Sequence, residues 1–462
     1  MLQEFLTLSE KIKQAARSGG LALTGVSGVS ASMGAARLAA IETGDVLLVV
    51  PDGNAAQTLL HDLRFFLPLL VGGGPAPEIL PFPSWEISPY SRLSPIVGNR
   101  MQRLQCLHFL ARRERPRAVV VASMPALGQP TLPVKFFRDS LLRLEKGAAL
   151  DPGKLVASLM ALGYTATDTV EDPGTFALRG GILDVYSAGY LWPLRLEFFG
   201  DEIEKMRFFH PDTQRGLPEE LPPEQVDLCP LREISLMPEH IERARTEIRA
   251  WCDSHELPRS SRERPLAQLA ERIVTPEMDF LLPFFNPEPA FLWNHFDSGH
   301  ASVWIDEGKC RSEGDAYAQK LREGYEKSVA QESIAAPPEK LFIGVDGIVD
   351  AVSGVKKHRA EPLDMVGKGQ SIPLRISHNP KFLDADKGKK TKSAANLDRL
   401  QEFLDDLIAR DFLIFFVANS QAQLDRMAFL LAQKGVRSTM LTAGVVPREP
   451  PAHGMVVLID GR

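Results

Sequence analysis

The residues with the clearest potential for chemistry are residues 25–32, the turn that follows the first predicted strand. This turn has the placement of a phosphate-binding loop, because it comes after a short apolar run and opens a helical pattern. A working loop reads GxxxxGKS/T, in which backbone N–H groups surround the phosphates and the lysine reaches their outer oxygens. Both the lysine and the glycine before it are missing here. The residues that remain, which we assign to a degenerate nucleotide loop, are Gly25, Ser27, Gly28, Ser30 and Ser32.

Loss of the lysine predicts that this loop does not support phosphoryl transfer, since the transferred phosphate loses its main positive contact. Weak anion binding at the helix N-terminus, and with it residual nucleotide binding, is the alternative. The pattern GKS/T occurs nowhere in the 462 residues. We therefore predict no catalytic residue and no bound cofactor for this chain.

A second motif with chemical potential is the acidic pair Asp306 and Glu307, which ends the apolar run at residues 301–305. Motor ATPases place the carboxylates that hold Mg²⁺ at such a strand end. Acidic residues also cap helices, and a helical pattern begins a few residues later. We treat the pair as vestigial and favour the capping role. The four cysteines lie far apart and form no cluster with histidine, so no metal site is predicted.

The third candidate site lies on a predicted strand at residues 194–199. Its two leucines and first phenylalanine alternate onto one face, which we assign to the core. Arg195, Glu197 and Phe199 therefore fall on the outward face. An aromatic residue beside an arginine on an exposed face has the composition of a protein-interface hot spot.

An earlier strand repeats this pattern, with Phe176 and Leu178 predicted inward and Ala177 and Arg179 outward. If the two strands are near neighbours in one sheet, Arg179 joins Arg195 and Phe199 in one patch. The planar fork of arginine holds a carboxylate with two hydrogen bonds, so we expect the partner to be acidic where it docks. The alternative is a solvated face with one exposed aromatic residue.

These candidates need elements to position them, and the rhythm of strands and helices divides the chain into four ranges. The first has continuous apolar strands separated by helices, which is typical of a parallel sheet covered on both faces. The second has short alternating strands and glycine-containing turns, typical of an antiparallel α+β domain. The third is mostly helical, and the fourth returns to alternation with a predicted strand at residues 341–345. The predicted domains are residues 1–131, 132–217, 218–336 and 340–462, the first and third being parts of one domain.

The predicted fold class is therefore α/β. A degenerate P-loop, RecA-like domain with a parallel sheet is interrupted by a small α+β domain and followed by a further α/β domain. Residues 384–395 are low in complexity and are expected to form a loop. An apolar run ends three residues before the last residue with no helix after it, so we expect the final domain to be truncated.

Composition limits the classes of function. Hydrophobic residues make up 44% and charged residues 24%, the balance of a globular protein that stays in solution. The formal net charge of −6 argues against a non-specific DNA clamp, which needs a cationic surface. No apolar run approaches the roughly 20 residues that a bilayer requires, so we expect no contact with membranes. Scattered cysteines and the lack of a signal pattern favour the cytoplasm.

Several longer runs of residues resemble one bacterial family. They are residues 172–186 (DPGTFALRGGILDVY), 194–203 (LRLEFFGDEI), 211–215 (PDTQR) and 80–90 (LPFPSWEISPY), with the Ser94-Pro95 pair and Gln102-Arg103-Leu104 after the last of these. On these runs the chain resembles the transcription-repair coupling factors, and the related repair protein UvrB shares the same module. The resemblance is specific over about residues 1–335 and looser over the rest.

The resemblance implies an N-terminal UvrB-like module, in which a split ATPase-like domain is interrupted by a small domain that binds the repair protein UvrA. It also implies that Arg179, Arg195 and Phe199 occupy the positions used for that contact. Two departures from UvrB stand out. The P-loop lysine is missing, and the span from Trp85 to Gln102 is too short for the hairpin with which UvrB grips DNA. Both losses are expected of coupling factors, whose motor lies further along the chain.

For the whole protein, the resemblance implies a cytoplasmic factor of nucleotide excision repair that displaces stalled RNA polymerase and recruits UvrA to the lesion. RNA polymerase and DNA would be bound through domains outside this chain. ATP and Mg²⁺ would act in helicase-type motor domains, also outside it. A C-terminal domain of the full-length protein would mask the UvrA-binding face. The alternative function is a UvrB-like, ATP-dependent protein that loads onto damaged DNA.

Overall fold

The computed structural model describes residues 2–460 with some gaps. The gaps fall at residues 18, 72–74, 92, 94–95, 113, 218–221, 272, 274, 287, 364–369, 375–391, 411, 413, 419 and 442–454. The Ser94-Pro95 pair and most of the low-complexity run at residues 384–395 therefore lie outside the described residues.

Strands and helices alternate along much of the chain. The strands are β1 Leu21–Thr24, β2 Val46–Val50, β3 Glu78–Phe82, β4 Ala118–Ser123, β5 Leu142–Glu145, β6 Thr165–Ala166, β7 Thr175–Arg179, β8 Ile182–Val185, β9 Leu194–Phe199, β10 Glu202–Phe208, β11 Gln225–Leu228, β12 Ala301–Ile305, β13 Lys356–Glu361, β14 Gln370–Pro373, β15 Ile414–Ala418, β16 Ser438–Leu441 and β17 Val456–Asp460. The helices are α1 Leu2–Arg17, α2 Val29–Ile41, α3 Gly53–Leu70, α4 Val97–Ala111, α5 Met124–Leu127, α6 Val134–Asp139, α7 Pro152–Ala161, α8 Pro238–Ser254, α9 Arg259–Ala270, α10 Leu282–Phe285, α11 Glu307–Ala330, α12 Pro338–Leu341, α13 Val345–Ala351, α14 Lys392–Ala409 and α15 Gln421–Gln433. Short 3-10 helices cover Pro276–Leu281 and Leu292–His295.

A seven-stranded sheet forms the largest layer, with the strand order β14-β1-β13-β12-β2-β4-β3. Every pairing in it is parallel, as the sequence predicts for this part of the chain. β2 and β4 are buried along their whole length. Residues of α2 and α3 pack on one face of these two strands, and residues of α4, α5 and α11 pack on the other. The continuous apolar sequences VLLVV and AVVVAS suit strands that are covered on both faces.

A five-stranded sheet forms the second layer, in the order β10-β9-β8-β7-β6. β7, β8, β9 and β10 are antiparallel neighbours in chain order, whereas β6 runs parallel to β7. One face of this sheet packs on α7, and the same hydrophobic core continues into the seven-stranded sheet. β5 and β11 form an antiparallel pair, so the chain enters and leaves this module side by side.

A three-stranded parallel sheet, β15-β17-β16, lies near the end of the chain. α14 and α15 pack on it through a small apolar cluster that includes Leu404, Leu424, Leu431 and Leu458. Among the described residues, no helix is both long and apolar enough to cross a membrane.

The predicted strand at residues 341–345 is wrong. α12 ends at Leu341 and α13 begins at Val345, with Gly344 between them at a φ of 82°. Leu341 and Val345 are buried as helix residues. An apolar run of this length does not by itself distinguish a strand from a buried helical turn.

β13 is missing from the predicted strands because its sequence, KKHRAE, is polar. It nevertheless lies inside the large sheet between β1 and β12. His358 is fully buried, accepts the N–H of Leu21 at 3.1 Å and lies 2.9 Å from the carboxylate of Glu42. Lys357 pairs with Glu307 at 2.9 Å. Polar partners therefore replace the apolar contacts that normally hold a central strand.

β13 and β14 extend the large sheet into the predicted fourth domain. β13 pairs with β12 and β1, and β14 pairs with β1. Both strands fall within residues 340–462, the range assigned to a separate domain. The four domain ranges themselves remain a prediction, but residues 356–361 and 370–373 belong to the sheet of the first range.

Candidate partner-docking face

The five-stranded sheet presents two tight turns at one of its ends. Gly180 and Gly181 connect β7 to β8, and Gly200 and Asp201 connect β9 to β10. Gly180 and Gly200 have φ values of 60° and 61°, which a side chain would oppose. The N–H of Phe198 donates to the carbonyl of Gly181 at 2.8 Å. The two turns therefore lie side by side.

The strand register places most charged residues of this sheet on one face. Ala177 lies opposite Asp184, and Asp184 lies opposite Arg195 in the next strand. Residues opposite each other in a sheet point to the same face. We call this the arginine face, and its charged or exposed members are Arg179, Ile182, Asp184, Arg195, Glu197, Phe199, Glu202, Lys205 and Arg207.

Asp184 brings the two predicted arginines together. Its carboxylate is fully buried between them. Arg195 donates from Nε to Oδ1 at 2.6 Å and from Nη2 to Oδ2 at 2.9 Å. Arg179 donates from Nη2 to Oδ2 at 2.7 Å. The sequence-predicted patch therefore exists for these two residues, with a carboxylate at its centre.

The two arginines differ in how much of each reaches solvent. The side chain of Arg179 is 50% exposed, and that of Arg195 only 14%. Arg195 also donates to the backbone carbonyl and to the side-chain oxygen of Gln214, each at 3.3 Å. Its guanidinium lies over the ring of Phe209 at 4.5 Å. The hydrogen bond to Asp184 raises the pKa of Arg195, so its guanidinium group stays protonated.

Phe199 is the most exposed large apolar residue of this face, with 80% of its surface accessible. It follows Glu197 by two positions along β9 and closes the strand beside the second turn. Its predicted outward position is confirmed. Ile182, 37% exposed, adds a second apolar residue to the same face.

The predicted burial of β7 is correct only in part. Phe176 is buried as expected, but Leu178 is 42% exposed. Ala177, expected on the open face, is buried against Val170 and Phe209. The chain before β7 and after β10 therefore covers the arginine face over Ala177 and Arg195, and the face is open near the turns and along β10.

Asp184 and Gln214 are the two residues that the sequence analysis missed at this site. The period-two pattern that places Arg195 outward also places Asp184 outward on β8, so strand alternation carried a usable signal. Gln214 has a φ of 58°, and its amide donates to the carbonyls of Val170 and Pro211 at 3.1 and 2.5 Å. It joins the two covering segments above Arg195. No sequence pattern indicates this contact.

The degenerate nucleotide loop is closed on itself. The N–H of Ser27 donates to the hydroxyl of Ser30 at 2.9 Å, and that hydroxyl donates to the carbonyl of Ser27 at 2.7 Å. The N–H of Val26 donates to the carbonyl of Glu361 at 3.1 Å. A Cβ on Gly25 would lie 2.6 Å from the carbonyl oxygen of Leu374. Two amides that a phosphate would need are thus already engaged.

Two further residues of this loop lie at the start of α2. Gly28, with a φ of 55°, is the residue before α2, and Ser32 is buried in the first turns of that helix. Ser32 therefore does not face an open phosphate site. Glu361, at the adjacent strand end, adds a carboxylate. Burial and the charges of Glu307 and Asp306 raise its pKa, although the N–H of Glu307 donates to it.

The acidic pair has structural partners. Asp306 caps α11 by accepting the N–H of Lys309 at 3.1 Å, which is the capping role favoured by the sequence. Glu307 pairs with Lys357 at 2.9 Å and with Arg311 at 3.3 Å. Burial favours a higher pKa for Glu307, but the hydrogen bond and charges of these bases outweigh it and lower the pKa. Among the described residues, no group of three metal-ligating side chains comes together.

The module that carries the arginine face matches a known domain family. Residues 142–233, which include β5 to β11, match the family described as the UvrB interaction domain. A UvrABC system protein B from Yersinia enterocolitica is 35% identical over 121 residues, 25% of this chain and 18% of that protein. The chain is thus a mixed α/β protein in which residues 142–233 match the UvrB interaction domain.

Two relatives match over most of the chain. A transcription-repair-coupling factor from Myxococcus xanthus is 32% identical over 70% of this chain and 27% of the relative. Another from Mycobacterium bovis is 33% identical over 90% of this chain and 33% of the relative. These matches confirm the resemblance to transcription-repair coupling factors seen in the sequence. The chain spans about a quarter to a third of the length of these relatives.

A solved structure, the Pyrococcus furiosus Hef helicase domain, gives a TM-score of 0.14 at 12% identity, over 98% of this chain and 85% of that one. Similarity at this level carries no argument about the fold.

Proposed function

We propose that this chain recruits UvrA in transcription-coupled DNA repair through the arginine face. The observation that carries the proposal is the convergence of Arg179 and Arg195 on Asp184, next to the exposed ring of Phe199. These three predicted contact residues lie within the residues that match the UvrB interaction domain. A partner that presents carboxylates beside an apolar pocket suits this combination of charge and exposed ring.

The rest of the proposal concerns the full-length protein. Because the relatives are named transcription-repair-coupling factors, we infer a factor that directs nucleotide excision repair to stalled RNA polymerase. Contacts with RNA polymerase and DNA, and ATP-driven movement, are assigned to regions outside this chain. So is the domain that masks the arginine face.

Binding of purified UvrA to the purified chain tests the proposal. Replacing Arg179 or Phe199 with alanine is expected to weaken binding by about 1–4 kcal/mol, because each removes an exposed contact in the open part of the face. Calorimetry or surface plasmon resonance measures the change, with circular dichroism as the check on folding.

Arg143→Ala provides the matched control. Arg143 is also an exposed arginine paired with an aspartate, at 3.0 Å from Asp227, but it lies on β5 away from the arginine face. Its loss should leave the affinity unchanged. Equal affinities for wild type, Arg179→Ala and Phe199→Ala would contradict the proposal.

A further inference from the structure

We propose that the partner contacts Arg179, Ile182 and Phe199 directly, whereas Arg195 and Asp184, which lie farther from the turns on the same face, act as positioning residues. This inference rests on the proposed function. It adds Ile182 to the contact surface and gives Arg195 a different role from Arg179.

The register makes Ile182 the centre of the open part of the arginine face. Ile182 on β8 pairs with Arg179 on β7, across the first turn, and with Glu197 on β9. Phe199 is two residues beyond Glu197, so it occupies the diagonal position, about 7–8 Å from Ile182 between Cα atoms. Ile182 therefore lies between Arg179 and Phe199 and joins the exposed ring to the exposed guanidinium by apolar surface.

The charges around Ile182 also favour an acidic partner. Glu197, the residue opposite it, is paired with Arg207 at 2.7 Å and lies 4.0 Å from Lys205. Its carboxylate is thus compensated within the sheet. Arg179 uses one of its nitrogens on Asp184 and has no other hydrogen-bond partner among the described residues. Its remaining donors can bind a carboxylate of the partner.

Arg195 offers a partner much less. Two of its nitrogens hold Asp184, and two contact Gln214. Its side chain is almost covered, with Phe209 beneath the guanidinium. However, Arg195 holds the Asp184 carboxylate in place by two hydrogen bonds, and Arg179 donates to that same carboxylate. Loss of Arg195 would leave a buried carboxylate free to draw Arg179 away from the surface.

The first experiment compares Ile182→Ala with Leu178→Ala in UvrA binding. The two residues are apolar, similarly exposed and near the same turn, but they point to opposite faces of the sheet. Ile182→Ala should weaken binding by roughly fivefold or more, the effect of losing more than about 1 kcal/mol of contact energy. Leu178→Ala should change it less than about twofold. Equal effects of the two variants would overturn the assignment of Ile182.

The second experiment is a double-mutant cycle between Arg195 and Arg179. If Arg195 acts through Arg179, Arg195→Ala should weaken binding in the wild type but less than about twofold further in Arg179→Ala. Two fully additive losses would mean that Arg195 contacts the partner itself.

The variant Arg195→Gln/Asp184→Asn covers the case in which Arg195→Ala unfolds the module. It removes both charges and leaves hydrogen-bonding side chains in their place. It should retain the wild-type thermal unfolding temperature to within a few degrees while still binding more weakly. Wild-type affinity in this folded variant would overturn the positioning role.

The results separate this inference from the proposed function. Failure of the wild-type chain to bind UvrA would reject the proposed function. Binding that is weakened by Arg179→Ala and Phe199→Ala but not by Ile182→Ala would reject only the inference.

Discussion

Arg103 shows, at the scale of single residues, how a full charge is held in the core. It is completely buried and contacts Glu233 through two hydrogen bonds of 2.8 and 3.0 Å. It also donates to the side chain of Gln129 at 3.3 Å and lies 4.2 Å from the ring centre of Phe82. All the nitrogens of its guanidinium group donate hydrogen bonds, which is the condition under which a buried ion pair is tolerated.

Replacing Arg103 with methionine should lower the free energy of unfolding by about 3–5 kcal/mol, because the Glu233 carboxylate would stay buried without its partner. Urea unfolding followed by tryptophan fluorescence measures the loss. Arg103→Met/Glu233→Gln should recover part of it, since no buried charge remains. Arg143→Ala, which breaks an exposed ion pair, should lower the free energy of unfolding by less than about 1 kcal/mol. A loss that small for Arg103→Met would contradict the argument.

The sequence could predict some of these residues and not others. Strand alternation was enough to place Arg195 and Phe199 outward, and it applies equally to Asp184. Arg103 belongs to a helical segment, and its burial depends on Glu233, a residue that lies 130 positions later. No local pattern carries that information, because a charged residue in a helix is normally solvated.

At the scale of elements, the loop before α2 connects a strand to a helix, and its assignment as a degenerate phosphate-binding turn stays a prediction. Its local sequence was enough to predict a turn between a strand and a helix. It could not predict that Glu361 from β13 accepts the N–H of Val26, because β13 itself is polar and far away in sequence. Apolar strands such as β2 and β4 were predictable from composition. β13 was not, because ion pairs hold it in place.

Mg²⁺-ATP is expected neither to bind the wild-type chain measurably nor to be hydrolysed by it. The N–H groups of Val26 and Ser27 already have acceptors, and three carboxylates face this edge of the sheet. Calorimetry at millimolar nucleotide and phosphate release over hours test the two expectations. Saturable binding would contradict them.

Restoring the lysine alone should not restore the site. Ala31 occupies the position of that lysine and is buried against Val26 and Ala360. Ala31→Lys is therefore expected to lower the thermal unfolding temperature rather than to create nucleotide affinity. Tight ATP binding by this variant would show that the loop opens easily.

At the scale of the whole molecule, two histidines are buried in the core, and one of them, His108, lies where α4 meets the interaction module. His108 of α4 packs on Tyr190, with ring centres 5.4 Å apart. His295 lies 3.0 Å from the hydroxyl of Thr131 and packs on Phe137. Burial, together with nearby arginines, lowers the pKa of each histidine to about 4.

Acid should therefore destabilise the core around these two histidines. The folded pKa of about 4 lies below the ordinary value of 6.5. The contribution of the two neutral histidines to the free energy of unfolding is therefore complete above pH 6.5, and it is lost as the pH falls towards 4. Each histidine can cost as much as about 3 kcal/mol at the acid end. Thermal unfolding at pH 7, 5.5 and 4.5 measures the trend.

His108→Phe isolates the contribution of one ring. Phenylalanine keeps the packing against Tyr190 but cannot be protonated, so the unfolding temperature should fall less steeply with pH than in wild type. Identical pH profiles for the two proteins would show that His108 does not contribute.

The position of β1 has a consequence for the order in which the chain can fold during synthesis. The two neighbours of β1 in the sheet are β13 and β14, in which Arg359 and Ser371 pair with Ala22. Neither edge of β1 can therefore be paired until these later strands have been synthesised. A nascent chain that has reached residue 336 would carry β1 as a strand without a partner and β12 with one open edge, which invites pairing between ribosome-bound copies. The large sheet is therefore finished only after the interaction module has already left the ribosome, and the interaction module can fold first.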